Sequence, residues 1–180
     1  GYAYAKRMVD VQSRSYRQQY GCNFITAIPN NLYGPNDNYD LQSGHVIPAL
    51  IRKFHYAIEN DQKEVEIWGS GNPLREFTFA RDAAKIIVWL AENYDGEGPI
   101  NIGNPEQVSI KFLAETIADI FEFKGNINFN SEKPDGQYKK PSSNNKLLSM
   151  GWSENYTSLK EGLEETILFY KSNYPNVRGV

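Results

Sequence analysis

A stretch of helical periodicity runs from residue 2 to about 20, stops at Gly21, and gives way to the apolar run Phe24-Ile25-Thr26-Ala27-Ile28. No other feature limits the possible folds as much. Met8, Val9, Val11 and Tyr16 supply one face of the helix, and Arg7, Arg14 and Arg17 its polar positions. A glycine just past the last periodic residue is a good helix stop, because it takes the left-handed conformation without a Cβ penalty. An apolar run without polar alternation reads as a strand buried on both faces, as parallel sheets require. Helix followed by buried strand is half of a βαβ unit, so an α/β fold with a parallel sheet is expected.

The rest of the chain alternates in the same manner. Pro29 to Asn38 is dense in Asn, Gly and Pro and reads as a loop leaving the strand's carboxyl end, where open α/β sheets bind ligands. A second helix opens at His45 and runs to about Asn60, with Ser43 able to cap it and Pro48 in its first turns. Glu64 to Trp68 alternates polar and apolar as a half-buried strand, Gly69 to Pro73 turns, and Arg75 to Phe79 forms another strand. Arg81 to Asn93 is an amphipathic helix whose expected buried side is Ala83, Ala84, Ile87, Val88, Leu90 and Ala91. Pro99 to Gly103 is a short strand, Ser109 caps a helix carrying Ile110, Leu113, Ala114, Ile117 and Phe121, and Asn126 to Asn130 is a strand. A polar loop spans 131–141, a short helix lies near Asn144 to Leu148, and Ser158-x-x-Glu161 is a capping box opening the last helix. Leu159, Leu163, Ile167 and Tyr170 form that helix's buried stripe.

Composition excludes several classes. A net charge of -3 and the lack of any Lys/Arg block argue against nucleic-acid binding. No apolar run approaches the roughly 18 residues of a membrane span. A single cysteine, Cys22, allows no intrachain disulfide and no metal-site spacing, and fits a reducing cytoplasm. The chain starts without Met and already in a helix, which reads as the later part of a longer polypeptide.

Several residue types in pattern suggest chemistry. Tyr2 and Lys6 stand one helical turn apart on one face, and an ammonium beside a phenol favours the phenolate, a form suited to proton transfer at a carbonyl-level carbon. The pair is common by chance and gains meaning only in company. His45 lies at a helix entrance beside the Asn-rich loop, whereas His55 sits mid-helix near Phe54 and Ile58 as a surface or core histidine. Gly69-Ser70-Gly71 lacks the following Lys-Ser/Thr of a P-loop. Arg75 just past that turn is placed to fork onto phosphate, and Trp68 to stack on a base or close over a sugar. The lysines, Asp135 and Tyr138 of the 131–141 loop could grip ribose and phosphate, or simply face water.

In order, Tyr2-x-x-x-Lys6, Pro29-Asn-Asn-Leu-Tyr-Gly-Pro35, Ser43-Gly-His-Val-Ile-Pro-Ala-Leu50, Trp68-Gly-Ser-Gly-Asn-Pro-x-Arg75-Glu-Phe77 and Lys133-Pro-Asp-Gly136 resemble the extended short-chain dehydrogenase/reductases that act on nucleotide sugars. The resemblance covers nearly the whole chain. It is nearest to the NADPH-dependent 3,5-epimerase/4-reductases of GDP-4-keto-6-deoxy-D-mannose, and the His-Val-Ile-Pro segment separates these from sister epimerases and dehydratases. It implies the C-terminal part of a Rossmann-like NAD(P)-binding fold, residues 1–34, followed by a small α+β substrate-binding domain, residues 35–180, with some segments returning to the first half. It implies Tyr2 as proton donor to the C4 oxygen, Lys6 as the group orienting the nicotinamide ribose, and His45 as one of two acid/base groups inverting C3 and C5. Lys6, Pro29, Asn30, Asn31, Leu32 and His45 would lie against NADP(H). Lys53, Trp68, Arg75, Asp135 and Lys140 would contact the GDP-sugar, although position 53 is Arg in some members and Lys here. It also implies a homodimer packed through the Tyr-Lys helix.

The family's Gly-rich dinucleotide fingerprint, the Ser partner of the Tyr and the Cys partner of the His all precede the Tyr, and Cys22 comes too late to be that Cys. The chain alone is therefore expected to be inactive. Two other readings stay open: another nucleotide-sugar epimerase or dehydratase, and a non-catalytic sugar-nucleotide-binding module.

Overall fold

The computed structural model describes residues 1–153 and 155–180. Helix α1 spans Tyr2–Tyr20 and ends at Gly21, whose φ of 67° lets its N–H reach back to the Arg17 carbonyl. Strand β1 (Ala27–Pro29) pairs in parallel with β5 (Ile100–Ile102). Strand β2 (Asn31–Tyr33) pairs in parallel with β4 (Leu74–Phe79), which is flanked on its other edge by antiparallel β6 (Gln107–Ser109). Strands β3 (Glu64–Trp68) and β7 (Asn126–Asn130) form a third parallel pair. Between them run α2 (Val46–Glu59), α3 (Ala80–Asn93), α4 (Ile110–Ile120), α5 (Asn145–Ser149) and α6 (Leu159–Asn173). No helix among the described residues is long and apolar enough to cross a membrane.

Two apolar clusters hold these elements. The larger joins Tyr33, Tyr39, α2, the inward residues of β3 and β4, α4 and α6. The smaller joins Ile86 and Leu90 of α3, Ile100 and Ile102 of β5, Leu147 and Trp152, with Ile25 and Ala27 packed against it. The seam between them is polar. Buried Glu76 of β4 accepts from Gln107 Nε2 at 3.3 Å, from the Ser142 N–H at 3.0 Å and from the Ser142 hydroxyl. Thr78, also buried, donates to Asn30 Oδ1 at 2.5 Å and accepts from the Asn104 N–H at 2.7 Å. Asp82 reaches from α3 to the Thr157 N–H at 2.7 Å.

The structure corrects four sequence expectations. The run Phe24–Ile28 is not a doubly buried strand: the strand is Ala27–Pro29, and Phe24 and Ile28 are 49% and 45% exposed. Its only strand partner among the described residues is β5, so one edge is unpaired. The first half of the expected loop 29–38 is strand, because Asn31 to Tyr33 take the register of Phe77 to Phe79, and Asn31 Nδ2 adds a bond to the Glu76 carbonyl at 2.7 Å. The cap of α2 is His45 rather than Ser43; the Ser43 hydroxyl instead donates to Asp40 Oδ1 at 2.7 Å. Helix α3 buries Asp82, Ala83, Ile86 and Leu90, while Ala84, Ile87, Val88 and Ala91 face outward. The helix carries two apolar stripes, and the one aligned with β4 and β5 wins. Helices α4 and α6 follow their patterns. Ser109 Oγ accepts from the Phe112 N–H at 3.0 Å, and Ser158 and Glu161 form the reciprocal capping box.

Candidate functional site

Strand β3 ends at Trp68, which is 65% exposed at the edge of the larger cluster. The alternation that buries Val65 and Ile67 throws Trp68 outward. Lys53 reaches it from the third turn of α2, its Nζ 5.7 Å from the ring centroid, and Lys133 from the loop after β7, its Nζ 5.5 Å away. The Lys53 ammonium is also fixed by the Glu66 carbonyl at 2.9 Å. Burial lowers the Lys53 pKa, and Glu66 partly opposes that shift. An exposed indole flanked by two ammonium groups offers a stacking face beside a cationic field, which suits an aromatic ring carrying negative charge.

The turn after β3 brings in the rest. Gly69 takes φ 89° and lets Asp135 approach; Asp135 Oδ1 accepts from the Ser70 N–H at 2.6 Å and Oδ2 from the Ser70 hydroxyl at 2.7 Å. Asp135 thereby ties the 131–141 loop to the glycine turn, with both oxygens engaged. Leu74 continues the tie, its N–H bonding the Tyr138 carbonyl at 2.8 Å and its backbone bridging Lys139. Arg75 is half-buried, donates Nη1 to the Leu74 carbonyl at 2.7 Å, and fronts Gly136, where an added Cβ would lie 3.8 Å from Arg75 Nη2. Lys140 is exposed on the same loop. The structure thus gathers Lys53, Trp68, Arg75, Asp135 and Lys140 around one loop. It singles out Lys133 from the three lysines of that loop and adds Ser70, which the sequence did not point to. Ser70 carried no signal beyond lying in the turn.

The other candidates sit elsewhere on the fold. Lys6 Nζ is 5.5 Å from the Tyr2 ring centroid, so the two do share a face, and Tyr2 is 78% exposed. Pro29 closes β1. Asn30 spends its side chain on the seam, donating to the Asn104 carbonyl at 2.8 Å and accepting from Thr78, and Asn31 spends its amide on β4. Leu32 is partly exposed and, with Tyr33, Gly34, Pro35, Asn36, Asp37 and Ala80, lines an open hollow of about 190 Å³. His45 is exposed at the start of α2, its carbonyl accepting from the Ala49 N–H at 3.1 Å. Asp37 is a further group near it. Burial raises the Asp37 pKa, while the Asn38 N–H and the charges of His45 and Arg178 draw it down. Among the described residues no cluster of His, Cys, Asp or Glu could hold a metal ion.

Residues 1–103 match the NAD dependent epimerase/dehydratase family. The chain is 44% identical over 180 residues to a GDP-L-fucose synthase of Dictyostelium discoideum, covering 99% of this chain and 56% of that protein. It is 45% identical over 172 residues to a GDP-L-fucose synthase of Sinorhizobium fredii, covering 96% of this chain and 54% of that protein. Among solved structures, the GDP-L-fucose synthetase of Naegleria fowleri bound to NADP superposes with a TM-score of 0.94 at 41% identity, over 98% of this chain and 57% of that one. The chain spans about half the length of the relatives it matches.

Proposed function

Since the chain belongs to the NAD dependent epimerase/dehydratase family, with its Rossmann-like α/β fold, we propose that it serves as the substrate-binding and proton-transferring part of a GDP-L-fucose synthase. That enzyme would convert GDP-4-keto-6-deoxy-D-mannose to GDP-L-fucose with NADPH. The observation that carries the reading is the convergence of Trp68, Lys53, Lys133 and Arg75 on one loop. A guanine stacked on Trp68 leaves its diphosphate among cations, and Arg75 can take two oxygens at once. Lys140 would add charge at the rim, and Asp135 would shape the site by holding the Gly69–Ser70 turn.

The residues present fit the nicotinamide end of NADP(H). The Tyr2–Lys6 face is open, and the strand end Pro29 to Leu32 runs past an open hollow. Because Asn30 and Asn31 have their amides engaged, the contact they offer a cofactor is chiefly backbone. NADPH, when bound, supplies the hydride. Tyr2 gives its phenolic proton to the C4 oxygen as that oxygen gains negative charge, and Lys6 stabilises the phenolate left behind. The C4 ketone acidifies the hydrogens on C3 and C5, and His45 exchanges protons with those carbons. Residues 1–34 would belong to the dinucleotide-binding half, joined by the β5 and α5 region, and 35–180 mainly to the substrate half. The protein would act in the cytoplasm as a homodimer packed through α1.

Calorimetric titration with GDP and with UDP tests the reading. GDP is expected to bind more tightly than UDP, and Trp68→Ala to weaken it by roughly tenfold or more, within the ~1–3 kcal/mol of a base stacked on an aromatic ring. Equal affinity for both nucleotides, or indifference to Trp68→Ala in a folded variant, would remove the support for a GDP-sugar site.

A further inference from the structure

The loop that leads into His45 is closed on itself and then clasped from outside. Asp40 Oδ1 accepts from the N–H groups of Gln42 and Ser43 at 3.2 and 2.8 Å and from the Ser43 hydroxyl, while the Asp40 carbonyl accepts from the Gly44 N–H at 2.8 Å. Asn38 Nδ2 adds a bond to Ser43 Oγ at 3.2 Å. The closure is tight enough that a Cβ on Gly44 would meet the Asp40 and Asn38 carbonyl oxygens at 2.4 and 2.5 Å. Asp37 and His45 therefore flank one compact ring.

The outer clasp comes from α2 and from the segment after α6. The Tyr39 N–H donates to the Arg178 carbonyl at 2.9 Å. Arg52 Nη1 donates to the Tyr39 carbonyl at 3.2 Å and to the Gly179 carbonyl at 2.6 Å, so one guanidinium holds both strands of the clasp. Gly179 takes φ 89°, and a Cβ there would fall 2.4 Å from Asn38 Oδ1 and 2.5 Å from the Asp40 nitrogen. Between the ties, the Tyr39 ring is fully buried against Tyr170, centroids 4.6 Å apart. The charge of Arg178 also acts on Asp37, the group that His45 shares. Apart from the Tyr39 ring and the Asn38 N–H bond to the neighbouring Asp37 Oδ1 at 2.7 Å, the described bonds joining residues 38–44 to the rest of the protein run through Arg52 and residues 178–179.

We propose that Arg52 and the Arg178–Gly179 backbone are positioning residues for His45, holding its loop in the geometry that proton exchange at C3 and C5 needs. This rests on the function proposed above. A polar loop carrying an exposed histidine has no sheet to stiffen it, and misplacing a catalytic group by about 1 Å can cost on the order of a hundredfold in rate. The hydride step relies on Tyr2 and Lys6 of α1, which the clasp does not touch. The clasp should therefore separate the two half-reactions.

The test compares Gly179→Val and Arg52→Gln with the parent in the full-length protein. Deuterium wash-in from D2O to C3 and C5 of the 4-keto sugar, without NADPH, reads the His45 step. Oxidation of GDP-L-fucose by NADP+ begins with the Tyr2 step in reverse. Wash-in is expected to fall on the order of tenfold to a hundredfold, with the initial rate of oxidation held within about twofold. Amide hydrogen exchange across residues 38–45 should accelerate while β3 and β7 stay protected. Unchanged wash-in, or parallel loss of both reactions in folded variants, overturns the proposal. Should Gly179→Val fail to fold, Arg52→Gln decides alone. If the parent shows neither reaction, the functional reading fails, and unaltered exchange at 38–45 in the variants would separately remove the clasp.

Discussion

His55 shows how one side chain ties stability to pH. It lies in α2 with its ring 4.5 Å from that of Tyr174 and 5.1 Å from that of Tyr170, centroid to centroid. Burial among these rings lowers its pKa from 6.5; Glu59, 3.7 Å from Nε2, opposes the shift and Lys171 adds to it. A folded state that resists protonating a histidine is stabilised relative to the unfolded chain at pH values above 6.5, where neither state needs the proton. That contribution is lost as pH falls from about 6.5 through the lower folded value, at no more than about 1.4 kcal/mol per pH unit. The expected outcome is that urea unfolding of the parent weakens between pH 7 and 5 more than that of His55→Gln; equal slopes would show that the ring protonates as freely in the folded protein. Close approach decides another residue. A Cβ on Gly162 would lie 2.2 Å from the Tyr33 hydroxyl, so this helical glycine is set by the phenol packed on α6. The Tyr33 pKa is accordingly pushed up by burial, with Asp82 and Glu106 adding to it.

Helix α1 stands apart from the other long helices, because none of its residues is buried. Its firm attachments lie at the carboxyl end: Arg17 donates to Asn23 Oδ1 at 3.1 Å and to the Asp95 carbonyl at 2.6 Å, and Tyr16 meets Phe24 with centroids 5.8 Å apart. A helix that buries none of its residues lacks the tertiary packing that supplies most helical stability in proteins. Hydrogen exchange should therefore be fastest in the first turns of α1, around Tyr2 and Lys6, and slowest in α4; comparable protection in dilute protein would contradict this, whereas protection that grows with concentration would signal pairing through α1. The helices were legible in the sequence because caps and periodicity are local: Gly21, Ser109 and the Ser158–Glu161 box each act within one turn. Strands β2 and β6 were not legible. Each is three residues long, and each exists because β4 accepts one parallel and one antiparallel neighbour. On α3 the periodicity offered two apolar stripes, and only the position of β4 and β5 could choose between them. Likewise Trp68 and Arg75 were visible as candidates, but the Lys133 contact needs β7 beside β3, a fact outside any local window.

Over the whole molecule, the two apolar clusters meet across Glu76, Thr78, Asn30 and Asn144 rather than across more apolar surface. A buried carboxyl group whose donors among the described residues are all neutral is costly to disturb, since each orphaned partner loses about 1–3 kcal/mol. Glu76→Leu should lower stability by about that much and uncouple the clusters. Fluorescence from Trp89 and Trp152, which meet in the smaller cluster at 5.6 Å, should then be lost before far-UV circular dichroism, whereas the parent's two curves are expected to coincide. Coincident curves in the variant would mean that the seam does not couple them. The parallel pairs carry one more consequence, for the order of assembly. The side chains of Asn128 and Glu64 bond across β3 and β7 although 64 residues separate them, and Asn30 reaches Asn104 across 74. Such contacts must wait for large loops to close. On a growing chain, Trp68 emerges long before Lys133 does. The indole at the end of β3 therefore waits on an unpaired strand until β7 has been made, and its contact with Lys133 forms only after that pairing.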